Sequence, residues 1–354
     1  HEITKGAITK AIKNPRTINT DLVDAQQARR IIDRLVGFEI SPVLWRKISG
    51  ARSAGRVQSP VVRLVVERER EISAHIPVST FKVKANLINK DNQNLEVKLN
   101  KEFSSKEDAL SFAEALIEAE LIVDLVDTKP SKRSPKAPFI TSTLQQEASQ
   151  KLGFSVKQTM SIAQNLYREG AITYMRTDSL NLSELAITGA EEEIVSKYGK
   201  QFHQARRYKT SSSGAQEAHE AIRPTDLTKP TILGLDDQSS KLYSLIYKRT
   251  LASQMSDAQL QKTKVTINVS GRSEHFIADG EILSFAGFLE VYDYMSSDDR
   301  LLPEISSNDV LTLVDMSSRE SFSRAKPRYT EASLVKEIEQ MGIGRPSTFA
   351  TMIT

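Results

Sequence analysis

The residues of this 354-residue chain best suited to covalent chemistry are a tyrosine and an arginine two positions apart. Tyr174 and Arg176 follow Gly170, where a helix is expected to stop, and alternate residues of an extended segment face the same side. A phenol with a pKa of about 10 attacks poorly unless cations stabilise the phenolate, and a guanidinium can clamp a phosphate while charge develops on it. Spacing alone favours a buried tyrosine beside a surface pair of Arg176 and Asp178, because Tyr-x-Arg is common.

His219 is the second candidate for chemistry. It is flanked by Glu217 and Glu220, and Arg223 stands just ahead of Pro224. An imidazole in this setting could hydrogen-bond a phosphate or transfer a proton near neutral pH. On its own, the pattern favours a histidine at a helix end that pairs with a carboxylate.

The loop Arg52–Ser59 has the residue types of a nucleotide contact. Gly55 permits close approach of the backbone, Ser53 can donate to a phosphate, and Gln58 can bind a base edge. An ordinary helix entry is the alternative for the loop alone. Basic side chains crowd the same region, which is the usual electrostatic footprint for a phosphate backbone. They are Arg29, Arg30, Arg34, Arg46, Lys47, Arg52, Arg56 and Arg63.

The segment Gly342–Thr348 repeats this combination nearer the carboxyl end. Its glycine turn is followed by Arg345, and Pro346 is placed to start a helix. The hydroxyls of Ser347 and Thr348 would then lie at a helix amino terminus, which is a good place to hold a phosphate.

Composition excludes several classes of protein. With no cysteine, the chain has no disulfide framework, zinc ribbon or thiol nucleophile. No apolar run approaches the ~18–20 residues that span a bilayer, and no G-x-x-x-x-G-K-[ST] sequence indicates an ATP-driven motor. The adjacent acidic pairs at 236–237 and 298–299 cannot converge on a metal as alternating residues do, and we interpret them as solvated turns. The net charge of +3 does not by itself indicate a nucleic-acid partner.

The elements that must position these residues alternate between helical and β-rich stretches. Apolar spacing predicts helices over 25–36 (capped by Asp21 or Asp24 and ended by Gly37), 57–72, 105–119, 142–152, 155–168, 183–197 and 239–254, and again after Arg328. Period-two alternation predicts strands over 80–88, 94–99, 121–128, 264–269 and 310–314, the first two as a hairpin. Residues 129–138 are typical of a basic, proline-broken linker. Strands that resume after a long helical stretch predict one β unit interrupted by a helical domain.

The chain resembles the bacterial type IA DNA topoisomerases over essentially its whole length. The blocks that carry the resemblance are Ala25–Arg30 (AQQARR), Ser53–Ser59 (SAGRVQS), Pro138–Glu147 (PFITSTLQQE), Ile172–Ser179 (ITYMRTDS), Gly214–Thr225 (GAQEAHEAIRPT) and Gly342–Thr348 (GIGRPST). Topoisomerase III-like decatenases, which we expect to differ around the Tyr-Met-Arg block, are a lesser alternative. A non-catalytic single-stranded DNA-binding module is the alternative from another class.

The resemblance implies a role for each candidate residue. Tyr174 is the implied nucleophile, which forms a 5′-phosphotyrosine with cleaved single-stranded DNA, while Arg176 stabilises the scissile phosphate and His219 contacts DNA in the same cleft. Because one phosphodiester is exchanged for another, no ATP is needed. The implied DNA-binding residues are Arg29, Arg30, Asp33, Arg34, Ser53, Arg56, Gln58, Arg223, Arg345 and Thr348.

The resemblance also implies an α+β multidomain fold. A helical base domain would comprise 1–77 and 326–354, a β-rich arch 78–139 and 262–325, and a mainly helical tip domain 140–261, which carries Tyr174. The arch would hinge the tip away from the base to open a gate for a passing strand.

The terminal residues predict an excised piece of a longer protein. The resemblance implies a preceding Toprim domain that binds Mg²⁺ and following zinc-ribbon modules, so we expect no metal ligand in this chain and no relaxation of supercoils by the chain alone. The implied partners are single-stranded and negatively supercoiled DNA, with no membrane. The implied state is a monomer in the bacterial cytoplasm, at the nucleoid.

Overall fold

The computed structural model describes residues 5–15, 17–55, 58–209, 219–292 and 302–353. Its helices are α1 (Lys5–Lys13), α2 (Thr20–Lys47), α3 (Gln58–Ala74), α4 (Lys106–Ile117), α5 (Thr141–Leu152), α6 (Val156–Arg168), α7 (Glu184–Tyr198), α8 (Asp237–Ser253), α9 (Glu331–Gln340) and α10 (Phe349–Ile353). Its strands are β1 (Ser79–Ile88), β2 (Asn94–Phe103), β3 (Leu121–Arg133), β4 (Ala258–Val269), β5 (His275–Phe285) and β6 (Val310–Phe322).

The chain folds into two compact units, each assembled from separate stretches of sequence. The helical unit comprises His1–Ser73, Lys136–Met255 and Pro327–Thr354, and the barrel unit comprises Ala74–Pro135 and Ser256–Lys326. The helical unit therefore contains most of the two stretches predicted to be base and of the stretch predicted to be tip, while 74–77, 256–261 and 326 belong to the barrel unit. The division of that unit into base and tip domains stays a prediction.

The barrel unit is one closed sheet with the strand order β1-β2-β5-β4-β3-β6. All of its paired strands are antiparallel, and β1 and β2 form the predicted hairpin. Alternate apolar residues point into the barrel, where Phe112 of α4 packs against Phe103 and Phe276 with ring centroids 5.5 and 6.1 Å apart. Strands from both sides of the helical stretch thus share one core, as the resumed alternation predicts.

The predicted linker over 129–138 is wrong for its first half. Strand β3 continues through Pro130 to Arg133, paired with β4 along its length. A proline lacks the N–H that a second neighbouring strand would need, and β3 pairs with β6 only at Leu121 and Ile122. Pro130 therefore lies where β3 has one neighbouring strand, a position at which a proline is tolerated.

Helix α2 is longer than its sequence pattern predicts. Its N-cap is Asn19, whose side chain accepts from the Leu22 N–H, so the capping roles predicted for Asp21 and Asp24 are wrong. The helix also runs through Gly37 and Pro42. A single internal glycine costs only about 1 kcal/mol, and the helical turns on both sides outweigh it.

The apolar side chains whose spacing predicts α2 are not buried. Ile31, Ile32 and Leu35 are each about half exposed or more. Apolar spacing establishes which side chains share a face of a helix, and it does not establish that another element covers that face. Within the described residues, no helix combines the length and apolar character that a bilayer crossing requires.

The helices around Tyr174 begin and end close to their predicted positions. Ser155 and Ser183 cap α6 and α7 by accepting hydrogen bonds from backbone N–H groups. Gly153, after α5, and Gly170, after α6, adopt positive φ angles of 69° and 71°. One start differs, because α5 begins at Thr141, one residue before the predicted start at 142, and its N-cap is Ile140.

Candidate active site

The loop after Gly170 carries Tyr174 and is hydrogen-bonded to the backbone around residue 222. Thr173, which is fully buried, donates its hydroxyl to the Ala221 carbonyl at 2.7 Å and accepts from the Arg223 N–H at 2.9 Å. The Thr173 N–H donates in turn to the Arg223 carbonyl at 2.9 Å. These bonds place residues 219–225 beside the loop, although 48 and 50 positions separate Thr173 from Ala221 and Arg223 in sequence.

The other side of the loop is fastened to the start of α5. The hydroxyl of Thr141 donates to the carbonyls of Met175 and Thr177, at 2.8 and 3.1 Å, and accepts from the Thr177 N–H at 2.9 Å. The Thr141 N–H donates to the Thr177 carbonyl at 3.0 Å. The loop is thus hydrogen-bonded immediately before Tyr174 and on both sides of Arg176.

Burial alternates along this loop. Thr173, Met175 and Thr177 are each 1% exposed, whereas Tyr174 is half-buried and Arg176 is exposed. This is the alternation expected of an extended segment, in which every second residue anchors the backbone and the others face outward. Tyr174 and Arg176 therefore share the accessible side, as the sequence predicts.

Tyr174 lies between two other aromatic side chains. The Tyr167 ring meets it edge-on with centroids 5.2 Å apart, and the His219 ring lies edge-on at 6.3 Å. The structure therefore brings the phenol and the imidazole together, and the exposed Arg176 lies two residues from Tyr174 on the same loop. Such a grouping is suited to phosphate chemistry, since one group can attack while the others supply hydrogen bonds and positive charge.

Arg223 is placed differently from what its predicted DNA contact requires. Its guanidinium is 5% exposed and pairs with Glu220 at 2.7 Å, and it also donates to the Ser183 hydroxyl. Glu220 in turn accepts from the Ser183 N–H at the start of α7. Contact with a phosphate would require this buried ion pair to open, which is costly, so its position favours a role in holding residues 219–225 in place.

Helix α9 approaches the same region from the carboxyl-terminal part of the chain. Glu339 accepts a hydrogen bond from the Ser142 hydroxyl, next to Thr141, and Glu331 accepts from the Val156 N–H at 2.7 Å. Burial, together with the nearby negative charge of Asp178, raises the pKa of Glu339, although the hydrogen bond from Ser142 opposes the shift. A carboxyl group with a raised pKa thus lies near the loop.

The segment Gly342–Thr348 follows α9 directly and forms a tight turn. The Thr348 hydroxyl accepts from the Arg345 N–H at 2.9 Å, while the Arg345 side chain is exposed. Gly344 has a φ of +81°, and a Cβ there would meet the Met352 sulfur at 2.9 Å, so only glycine fits. Phe349 anchors the turn in a core shared with α3, α6 and α9.

The DNA-binding residues predicted between positions 29 and 58 lie on α2 and on the loop that crosses it. The Trp45 indole N–H donates to the Arg52 carbonyl at 2.7 Å, and the Ala54 N–H donates to the Ser41 hydroxyl at 3.0 Å. The loop therefore lies on the α2 turns that follow Arg34, which places Ser53 near the arginine-rich part of the helix. Arg30, Asp33, Arg34, Ser53 and Gln58 are exposed, and Arg29 is half-buried. Arg56 lies outside the described residues.

No group of three or more His, Cys, Asp or Glu side chains within the described ranges is arranged to hold a metal ion. The described residues therefore do not fit a magnesium site. Sequence reasoning missed Thr141 and Glu339 as parts of the site. Thr141 lies inside a block that carries the family resemblance, and that was the only signal available for it.

A sequence profile described as "DNA topoisomerase" matches residues 17–354, which is nearly the whole chain. The chain therefore belongs to the bacterial type IA DNA topoisomerase family, as its motifs predict.

Its relatives include proteins named DNA topoisomerase 1. The one from Vibrio cholerae is 44% identical over 365 residues, which cover 100% of this chain and 41% of the relative. The one from Streptomyces coelicolor is 43% identical over 397 residues, covering 100% of this chain and 42% of the relative. The structure of full-length topoisomerase I from Thermotoga maritima matches with a TM-score of 0.86 and 38% identity, covering 99% of this chain and 59% of that one. The chain thus spans about two fifths of the length of these curated relatives.

Proposed function

We propose that this chain is the strand-cleaving core of a DNA topoisomerase and that Tyr174 is its nucleophile. The phenolic oxygen of Tyr174 attacks a phosphodiester of single-stranded DNA. A bond forms between that oxygen and the phosphorus, the bond to the 3′ oxygen breaks, and a free 3′-hydroxyl leaves. The DNA then remains attached through a 5′-phosphotyrosine, and attack by the 3′-hydroxyl reverses the step.

The observation that carries this proposal is the contact between the rings of Tyr174 and His219, on a loop whose accessible residues also include Arg176. A developing negative charge on the phosphate oxygens needs fixed positive charge and hydrogen-bond donors close by. Arg176 supplies that charge, and His219 contacts the DNA in the same cleft. Because the broken phosphodiester is replaced by a phosphotyrosine bond, the reaction needs no ATP. Torsional strain in negatively supercoiled DNA supplies the driving force for relaxation.

The remaining parts of the reaction are assigned to a longer protein. We propose that Mg²⁺ is held by a Toprim domain outside this chain, since the described residues offer no ligand cluster. The chain alone then lacks part of the stabilisation of the transition state and does not relax plasmids. The full-length protein is proposed to act as a monomer on DNA at the bacterial nucleoid.

The test is covalent adduct formation between denatured DNA and the full-length topoisomerase. Tyr174→Phe should abolish the adduct seen by denaturing gel electrophoresis. Tyr167→Phe is a matched control, because Tyr167 is also half-buried and its ring adjoins that of Tyr174. An equal adduct in Tyr174→Phe would contradict the assignment of the nucleophile, and absence of an adduct from the unchanged protein would favour a DNA-binding module.

Two further assays separate the proposed activity from its alternatives. Relaxation of a negatively supercoiled plasmid by the full-length protein with Mg²⁺ should exceed decatenation of linked circles, and the reverse order would favour a topoisomerase III-like decatenase. The chain of residues 1–354 should show no relaxation in the same assay, and any relaxation that Tyr174→Phe removes would contradict the proposed inactivity.

A further inference from the structure

The first residue of α5 makes unusual use of its hydroxyl. Thr141 is fully buried, and its Oγ1 lies within hydrogen-bond distance of Met175 O, Thr177 O and Thr177 N. A hydroxyl has one proton to donate and can also accept, so one donor is shared by two carbonyls while the N–H of Thr177 is satisfied. A threonine at a helix start ordinarily caps its own helix, but this hydroxyl serves a distant loop.

The three backbone groups that Thr141 binds lie on both sides of Arg176 and directly after Tyr174. Met175 is the neighbour of both Tyr174 and Arg176, and Thr177 is the next residue beyond Arg176. On the opposite side, Thr173 binds Ala221 and Arg223. Tyr174 is thus held between two buried threonine hydroxyls, one of which lies on an element remote from the loop in sequence.

We propose that Thr141 is a positioning residue for DNA cleavage and rejoining, which sets where the Tyr174 phenol and the Arg176 guanidinium stand relative to the scissile phosphate. This inference rests on the proposed function of Tyr174. Thr141 touches no DNA itself, because its side chain is sealed beneath the loop. Its effect comes through geometry, since displacement of a reacting group by about 1 Å can lower a rate by about 100-fold.

A matched control is available in the same unit. Thr250 of α8 is also fully buried, and its hydroxyl donates to the Ile246 carbonyl of its own helix at 2.9 Å. Thr250→Val therefore removes a buried hydroxyl without touching the Tyr174 loop. Comparing Thr141→Val with Thr250→Val separates the effect of losing the hydroxyl beside the Tyr174 loop from the general effect of losing a buried hydroxyl.

The experiment measures single-turnover cleavage and rejoining of a single-stranded oligonucleotide by the full-length topoisomerase. Thr141→Val should slow both steps by about 10- to 100-fold, with the dissociation constant for the oligonucleotide changed less than about 2-fold. Thr141→Ser, which keeps the hydroxyl, should restore most of the rate. Thr250→Val should stay within about 2-fold of the parent in both steps. Hydrogen exchange at the Thr177 amide should rise in Thr141→Val and not in Thr250→Val.

Several outcomes would overturn the proposal. Parent-like rates in folded Thr141→Val would do so, as would equal losses in Thr141→Val and Thr250→Val, or failure of Thr141→Ser to recover. If Thr141→Val does not fold, Thr141→Ala takes its place, and failure of both to fold while Thr250→Val folds would make Thr141 purely structural. Failure of the proposed function is recognised separately, by an adduct that persists in Tyr174→Phe.

Discussion

In the loop that carries Tyr174, every second side chain is buried and the backbone is hydrogen-bonded on both sides, whereas along α2 most of the basic and apolar side chains are exposed. The loop meets a requirement of bond-making chemistry, in which attacking and stabilising groups must be held in a fixed geometry. The DNA binding proposed for the arginines of α2 requires a less strict geometry, because attraction to a phosphate backbone depends on the summed charge more than on individual angles. Substitutions in the two regions should therefore differ in size and in salt dependence.

The largest effect is expected where the loop depends on a buried ion pair. Arg223→Met leaves the Glu220 carboxylate buried without its guanidinium, which should lower the free energy of unfolding by about 3–5 kcal/mol. Denaturant unfolding of the chain measures the loss. Arg207→Met, which breaks the exposed pair with Glu184, should cost less than about 1 kcal/mol. Losses of similar size in the two variants would mean that burial does not distinguish these pairs.

The next effect separates catalysis from binding. Arg176→Ala should lower the rate of adduct formation by the full-length enzyme about 100- to 1,000-fold, the usual consequence of removing one group that stabilises a developing anion. The affinity for single-stranded DNA should fall far less, as measured by fluorescence anisotropy. Arg168→Ala, which removes another exposed arginine at the end of α6, is the control. A loss of affinity as large as the loss of rate would assign Arg176 to DNA binding and not to catalysis.

A graded effect is expected on α2. Arg34→Ala should weaken binding of single-stranded DNA about 5-fold at 0.1 M salt and reduce the slope of log affinity against log salt by about 0.7, which corresponds to one phosphate contact. Cleavage at saturating DNA should be unchanged. Lys90→Ala removes an exposed charge from the barrel unit and should leave the slope unaltered. An unchanged slope in Arg34→Ala would place that arginine outside the DNA-binding surface.

The same contrast explains which features the sequence could predict. Tyr174 and Arg176 share a face because alternation is a local property of an extended chain, and the hairpin and most helix ends around the site follow from local signals as well. The proximity of His219 to Tyr174 was available only through the family resemblance, since spacing alone favoured more ordinary interpretations of both residues. The Thr141 hydrogen bonds were not predictable, because a threonine at a helix start gives the same signal whether it caps its helix or holds a remote loop.

Helix α2 shows the opposite case, in which a local signal predicts the element and not its surroundings. Its apolar spacing was sufficient to predict a helix and insufficient to predict burial, because burial depends on neighbours that periodicity does not reveal. Gly37 resembled a helix end, yet the helix continues, and the Ala54 carbonyl of the crossing loop lies 4.0 Å from where a Cβ at this position would be. That distance is an ordinary van der Waals contact, so a Cβ would fit and the structure shows no steric need for glycine at this helical position.

The smallest effect concerns Glu339, which lies beside the start of α5. Burial and Asp178 raise its pKa in the folded protein, so the folded state holds this proton more tightly than the unfolded chain does. Its ionisation therefore costs stability as the pH rises from about 4.3, the ordinary pKa of a glutamate, through the raised folded value. Glu339→Gln removes this cost and keeps an oxygen that can accept from Ser142.

The variant Glu339→Gln should match the parent at a pH below about 4, where both side chains are neutral in both states. Near pH 7 it should melt at a higher temperature than the parent, because burial destabilises the ionised carboxylate of Glu339 there. Glu337→Gln removes a carboxylate from the same helix, and an equal, equally pH-dependent gain there would assign the effect to net charge. A lower melting temperature for Glu339→Gln at neutral pH would show that the ionised carboxylate stabilises the contact between α9 and α5. The packing of α9 beside the loop would then depend on a charge, as the proposed DNA binding along α2 does.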